Sequence, residues 1–336
     1  MRAVLVPLEI DPVPPAPDSR VHAVRGATMG TDWSARLVLP RGADIDLQSV
    51  LQRELDEIVA QMSHWEDDSL LSRYNRAPAG SWHALPPQFF AVMEYALAVC
   101  ADTGGAYDPA AGALVNLWGF GPVKRYDQAG FYAPAPSAID AVLAARRAGQ
   151  PQLEREGRRL YQPGGAILDL SSVAKGYAVD RLAETLAALG LHHYLVEVGG
   201  ELRGAGVKPD GQPWWVELEG VPDAAGATSA QAVAALHGLA VATSGDYRRY
   251  FHYAGGRASH TLDPRTGRPI ANAVASVTVL ASTCMAADAL STALTVMGAD
   301  AGLRFAEARG LAARYLLREE GGLREVLTPA WRALLQ

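Results

Sequence analysis

The chain has 336 residues, 49% of them hydrophobic and 20% charged, enough apolar material to bury the core of one large domain or of two closely packed ones. A formal net charge of -6 excludes the basic footprint on which general nucleic-acid or membrane-surface binding depends, and leaves small-molecule chemistry as the better expectation. Two cysteines, Cys100 and Cys284, lie in apolar helical contexts without zinc or redox spacing, and read as buried small hydrophobes.

The amino terminus, MRAVLVPLEIDPVPPAPDSR, is a Pro-rich lead over residues 1–20. Glu9 and Asp11 interrupt its apolar run before it reaches the length of a signal-peptide core. No later stretch approaches the roughly 18 uncharged apolar residues of a membrane span. These features predict a cytoplasmic protein without a membrane span, or a periplasmic one if a leader is missing, with residues 21–336 forming a single domain.

RGATMGTDWSARLVLP alternates as a strand does, with MGT at its beginning. Residues 47 to 62 carry apolar side chains at i, i+3, i+4 spacing and predict a helix that runs into a polar loop, SHWEDDSLLSRYNRAP. A second helix is expected over 87 to 103, stopped by Gly104 and Gly105. YDPAAGALVNLWGFGP is too rich in Gly, Pro and aromatics for a regular element and too apolar for a solvated linker, a combination that often lines sites. Residues 134 to 147 read as a helix, RRLYQPGGAILDL as a strand pair, and 173 to 189 as an amphipathic helix ended by Gly190. LHHYLVEVGGELRGAG, PWWVELEG, LAVATSGDYRRYF, GRASHTLDPRTGRPI and ASVTVLA read as strands, followed by a helix at CMAADALSTALTVMG and another over 299 to 308. Adjacent strands unbroken by helices favour α+β over a doubly wound sheet.

Lys175, one of three lysines, stands in LDLSSVAKGYAVD at the start of a helix. Its surroundings fit neither a P-loop nor a Rossmann fingerprint. With Ser171 or Ser172 as N-cap, Lys175 falls in the first helical turn, where free N–H groups and the helix dipole already favour an anion; the alternative is a surface lysine paired with Asp169 or Asp180. In MAADALSTALTVMG, Asp288 and Thr292 share a helix face beside Ser291, either bonding back to the helix or offering hard oxygens to Mg²⁺. His260 precedes a DPRTG turn and could act on a proton near neutral pH or be merely hydrogen-bonded.

In this order MGTDW, MSHWEDDSLLSRYN, YDPAAGALVNLWGFGP, LDLSSVAKGYAVD, VEVGGELRGAG, VATSGDYRRYF, SHTLDPRTGRPI and SVTVLASTCMAADALSTALTVMG resemble the ApbE family from about residue 22 to 310. The resemblance implies an α+β fold with mixed, antiparallel-rich sheets flanked by helices, and an active site in a cleft between two halves. It also implies a Mg²⁺-dependent FAD:protein FMN transferase that joins FMN to a Ser or Thr of an acceptor flavoprotein through a phosphoester and releases AMP. The alternatives are an FAD pyrophosphatase and a non-catalytic FAD-binding protein. By the same resemblance Asp288, Thr292 and the carbonyl of Ser172 hold the metal, Lys175 lies by the FAD pyrophosphate, Asp169 fixes the nucleotide and His260 stands near the scissile phosphates. Met29, Trp65, Ala106, Tyr107, Asp108 and Leu262 map onto flavin-contacting positions. The chain departs from the family pattern with His64-Trp65 in place of Thr-Tyr, Ala110 in place of Thr, and Ser172 in place of a small apolar residue.

Overall fold

The computed structural model describes residues 3–10, 13–221, 232–253 and 256–336, so residues 1, 2, 11 and 12 of the Pro-rich lead lie outside it. The chain divides into two compact units: Met1–Asp56, Lys175–Gly245 and Ala273–Gln336 form one, Glu57–Ala174 and Asp246–Asn272 the other.

The first unit is built on an eight-stranded sheet, antiparallel throughout, whose strands lie side by side in the order in which the chain makes them. They are Arg20–Thr28, Thr31–Leu39, Tyr194–Val198, Glu201–Ala205, Leu239–Gly245, Val274–Ala281, Ala312–Glu319 and Gly322–Leu327. VASVTVLA is apolar on both faces because both are covered. Val277 and Val279 pack with Ala287, Leu294 and Phe305 of the helix Cys284–Ala308, while Leu280 joins Leu5, Leu236 and Trp331 on the opposite side. Leu5 comes from the lead itself, where Ala3–Leu5 pairs in parallel with Ala232, Val233 and Ala234. The two helices expected after Cys284 meet at a kink within Cys284–Ala308, at Gly298, whose φ of 76° a glycine adopts without penalty.

The second unit carries the helices Leu70–Asn75, Pro87–Asp102, Gly112–Leu117 and Pro136–Ala148, with short strands at Ser81–Ala84, Gln152–Glu154 and Arg159–Gln162. Leu114, Trp118, Phe120, Ile139, Ala258 and Leu262 form its apolar centre.

Four sequence expectations are corrected here. RGATMGTDW is not one strand but a hairpin, with Met29 and Gly30 both at positive φ (50° and 71°) in a two-residue turn. The polar loop contains the helix Leu70–Asn75, capped by Ser69, whose Oγ accepts from the Ser72 N–H at 2.9 Å. GALVNL within the irregular segment is helical. ILDL is no strand: Asn75 takes its backbone, accepting from the Leu168 N–H at 2.8 Å and donating to the Leu168 carbonyl at 3.0 Å, while the Asp169 N–H donates to the Pro109 carbonyl.

In the first unit the helix Ala174–Ala188 crosses the start of Cys284–Ala308 at Gly176. A Cβ at Gly176 would stand 2.3 Å from the Cys284 carbonyl oxygen and 2.8 Å from Asp288 Cβ. Gly176→Ala would gain about 1 kcal/mol of helix propensity, yet the backbone carbonyl cannot swing aside as a side chain would. Overpacking of this kind costs about 1–3 kcal/mol. The variant is expected to lower the denaturation midpoint, and an unchanged or raised midpoint in urea would show that the two helices separate freely.

Candidate active site

Three of the predicted residues gather in the first unit around that crossing. The Asp288 carboxylate, only 3% exposed, accepts the Gly176 N–H at 3.0 Å. Lys175, in the first turn of its helix as expected, forms an ion pair with Glu201. Neither carboxylate expected to partner the lysine does so. Asp180 accepts the Cys284 and Met285 N–H groups, both at 2.9 Å, and is bound by Arg203 at 2.7 Å. Asp169 accepts from the Ser171 N–H and hydroxyl in the second unit.

Among the hydroxyls of the Asp288 helix, the back-bonding option is taken by Ser291. Ser291 donates back to the Asp288 carbonyl at 2.9 Å, and Ser244 contacts both the Ser291 and the Thr292 hydroxyls at 2.9 Å. Ser244 and Glu201 are functional candidates that the sequence reading named only within VATSGDYRRYF and VGGELRGAG. The signal for Glu201 was the glycine pair before it. Gly199 and Gly200 have φ of 61° and 102°, and a Cβ at Gly199 would stand 2.8 Å from the Thr31 Cγ2, with the Lys175 Cδ in ordinary contact at 3.4 Å.

Electrostatically this cluster favours cations. Burial pushes the Asp288 carboxyl up, against the pull of Lys175 and the Gly176 N–H. Burial likewise raises Glu201, with Lys175 opposing and Asp288 reinforcing the shift. Burial alone would lower Lys175, but Glu201 and then Asp288 outweigh it and hold the ammonium above the ordinary lysine range. All three shifts favour bound protons, through burial at the two carboxylates and through those carboxylates at the ammonium. Glu201 Oε2 is buried without a hydrogen-bond partner among the described residues. A carboxylate with neighbouring hydroxyls is a hard-oxygen set, and among the described residues no group of three or more His, Cys, Asp or Glu forms a softer alternative. The donors fit Mg²⁺, which takes few protein ligands.

Met29 stands in the hairpin turn of the first unit, and the second unit holds the other candidates. His64 Nδ1 lies 3.3 Å from Asp169 Oδ1, and its ring meets Trp65 at 5.3 Å. Trp65 is 45% exposed, a large indole left half in water. Ala106 and Tyr107 are buried. Asp108 is committed to structure on both oxygens: Oδ1 accepts the Ala110 N–H at 2.8 Å and Oδ2 pairs with Arg146, which also donates to the Pro264 carbonyl. Leu262 belongs to the aromatic core. The His260 N–H and Nδ1 both face the Arg249 carbonyl, at 3.0 and 3.1 Å. A carbonyl can only accept, so Nδ1 carries a proton. Ser172 lies in this unit, two residues before the helix Ala174–Ala188 begins.

The ApbE family model matches residues 29–315. A protein of Vibrio cholerae named FAD:protein FMN transferase is 39% identical over 324 residues, covering 95% of this chain and 94% of its own. Its namesake in Haemophilus influenzae is 35% identical, covering 95% and 93%. Among solved structures, the apo form of the Pseudomonas stutzeri flavinyl transferase ApbE superposes with a TM-score of 0.83 at 37% identity, over 94% of this chain and 97% of that one. The Vibrio cholerae flavin transferase ApbE gives the same TM-score at 34% identity, over 94% and 100%. The eight ordered motifs, the antiparallel α+β fold and likeness over nearly the whole length agree: the chain belongs to the ApbE family.

Proposed function

We propose that this chain is an FAD:protein FMN transferase, which transfers the FMN moiety of FAD to a Ser or Thr hydroxyl of an acceptor flavoprotein in a Mg²⁺-dependent reaction. The observation that carries this reading is the Lys175, Asp288 and Thr292 cluster, in a chain similar over 95% of its length to a protein of that name. The acceptor oxygen bonds to the FMN-side phosphorus, and the bond from that phosphorus to the bridging oxygen breaks. The products are a phosphoester and AMP.

Phosphoryl transfer depends mainly on positioning and charge neutralisation. Asp288 and Thr292, with the carbonyl of Ser172, would hold Mg²⁺. The ion supplies charge stabilisation for the diphosphate when bound. Lys175, fixed at a helix start, stabilises negative charge on the phosphates and the departing AMP. His260 offers the Nε2 lone pair to the hydroxyl proton. Trp65 offers its exposed indole face to the isoalloxazine, with Met29, Ala106, Tyr107 and Leu262 completing the apolar contacts. Asp108 shapes that region through its buried pair with Arg146. Asp169, turned toward His64 and Ser171, fixes the nucleotide.

Incubation with FAD, Mg²⁺ and a candidate acceptor domain should leave acid-stable flavin fluorescence on the acceptor. FMN and AMP formed at the same rate without any acceptor, with several acceptors unlabelled, would establish the pyrophosphatase reading instead. Asp288→Ala should lower the Mg²⁺-dependent rate of AMP release by at least about 100-fold, and Lys175→Met should lower kcat/KM by a similar factor. Tight FAD binding with no turnover, insensitive to Asp288→Ala, would identify a binding protein.

A further inference from the structure

Glu201 is the residue of this cluster whose presence the proposed reaction does not require. A diphosphate site gains from an unopposed ammonium, yet the ammonium placed here is met by a buried carboxylate. Glu201 is 4% exposed, opens the strand that follows the Gly199-Gly200 turn, and keeps Oε2 buried without a partner among the described residues. The charge of Asp288 also acts on Lys175, so two carboxylates bear on one ammonium. With both carboxylates ionised and the ammonium protonated, the metal-free group carries one excess negative charge; a divalent cation reverses the sign.

We propose that Glu201 is a positioning residue that makes FAD binding conditional on the divalent cation. By neutralising and holding Lys175 it denies the diphosphate a cationic site until the metal is in place, and so imposes an order in which metal binding precedes or accompanies nucleotide binding. This inference rests on the FAD reading above. Its physical content is a coupling free energy between two ligands, carried by one ion pair.

The test is FAD binding, followed by flavin fluorescence in MgCl₂ and in EDTA, without acceptor or turnover. In the wild-type chain the affinity should fall steeply in EDTA. Glu201→Gln keeps the shape and removes the charge: metal-free binding should tighten by about tenfold, within the ordinary range of such couplings, and the ratio of the two affinities should shrink by the same factor. Glu201→Asp should restore most of the wild-type ratio. In a Lys175→Met background the Glu201→Gln gain should largely vanish, because it acts through the freed ammonium. A measurement on the wild-type chain alone keeps the inference falsifiable should Glu201→Gln not fold: added NaCl should strengthen metal-free FAD binding by screening repulsion, and weaken binding in MgCl₂. If Glu201→Gln keeps the wild-type metal dependence, or salt weakens metal-free binding, the role of Glu201 is overturned. If the wild-type chain binds no FAD at saturating MgCl₂, the FAD reading itself falls.

Discussion

The close crossing of two helices at Gly176 is the constraint on which the chemistry of the first unit depends. Because residue 176 has no side chain, the backbone of Ala174–Ala188 comes near enough for its N–H to reach Asp288 and for the Cys284 carbonyl to sit where a Cβ would be. Asp180, one helical turn further on, takes the first N–H groups of the second helix. One helix thus ties down the other at two points by donor and acceptor alike, and a carboxylate that burial would protonate becomes a fixed feature of the fold. A single contact therefore sets both the stability of the helix pair and the placement of Asp288 beside Lys175.

That arrangement also gives the lysine a partner outside its own segment of sequence. Its position on a helix start was legible from LDLSSVAKGYAVD, because capping residues and a glycine are local signals. Its partner was not, since Glu201 lies in another element and only the pairing of Tyr194–Val198 with Glu201–Ala205 brings that carboxylate to the Lys175 helix. Nearby acidic residues, Asp169 and Asp180, were the obvious local choices, and both are held by backbone N–H groups. Proximity in sequence misleads wherever a carboxylate has an orphan donor to satisfy.

Elements with a strong period were legible: the helices over 47 to 62 and 87 to 103, and the buried strand ASVTVLA, follow from apolar spacing and stop signals. The elements missed were short or borrowed. Leu70–Asn75 and Gly112–Leu117 are six-residue helices that show no full period. ILDL is apolar enough for a strand but has its backbone bonds taken by the amide of Asn75, a residue 93 positions away in the chain. The Met29-Gly30 turn was hidden because methionine gives no sign that it will adopt positive φ, and residues held in that region carry strain that the rest of the structure must support.

The eight strands of the large sheet follow one another in chain order, yet the chain leaves the sheet after Leu39 and returns only at Tyr194, and leaves it again between Gly245 and Val274. Closing so long an excursion is cheaper than its length suggests, since each doubling of a loop adds only about 0.6 kcal/mol. The larger burden falls on the folding rate, because pairing Thr31–Leu39 with Tyr194–Val198 must bring together partners far apart in the chain before their contacts stabilise it. A compact second unit, folded early, would shorten the effective distance between those partners. In that sense the continuity of the central sheet depends on the excursion that carries Trp65, Ala106, Tyr107 and Asp108, and a slow or misfolded excursion would delay the pairing of Thr31–Leu39 with Tyr194–Val198.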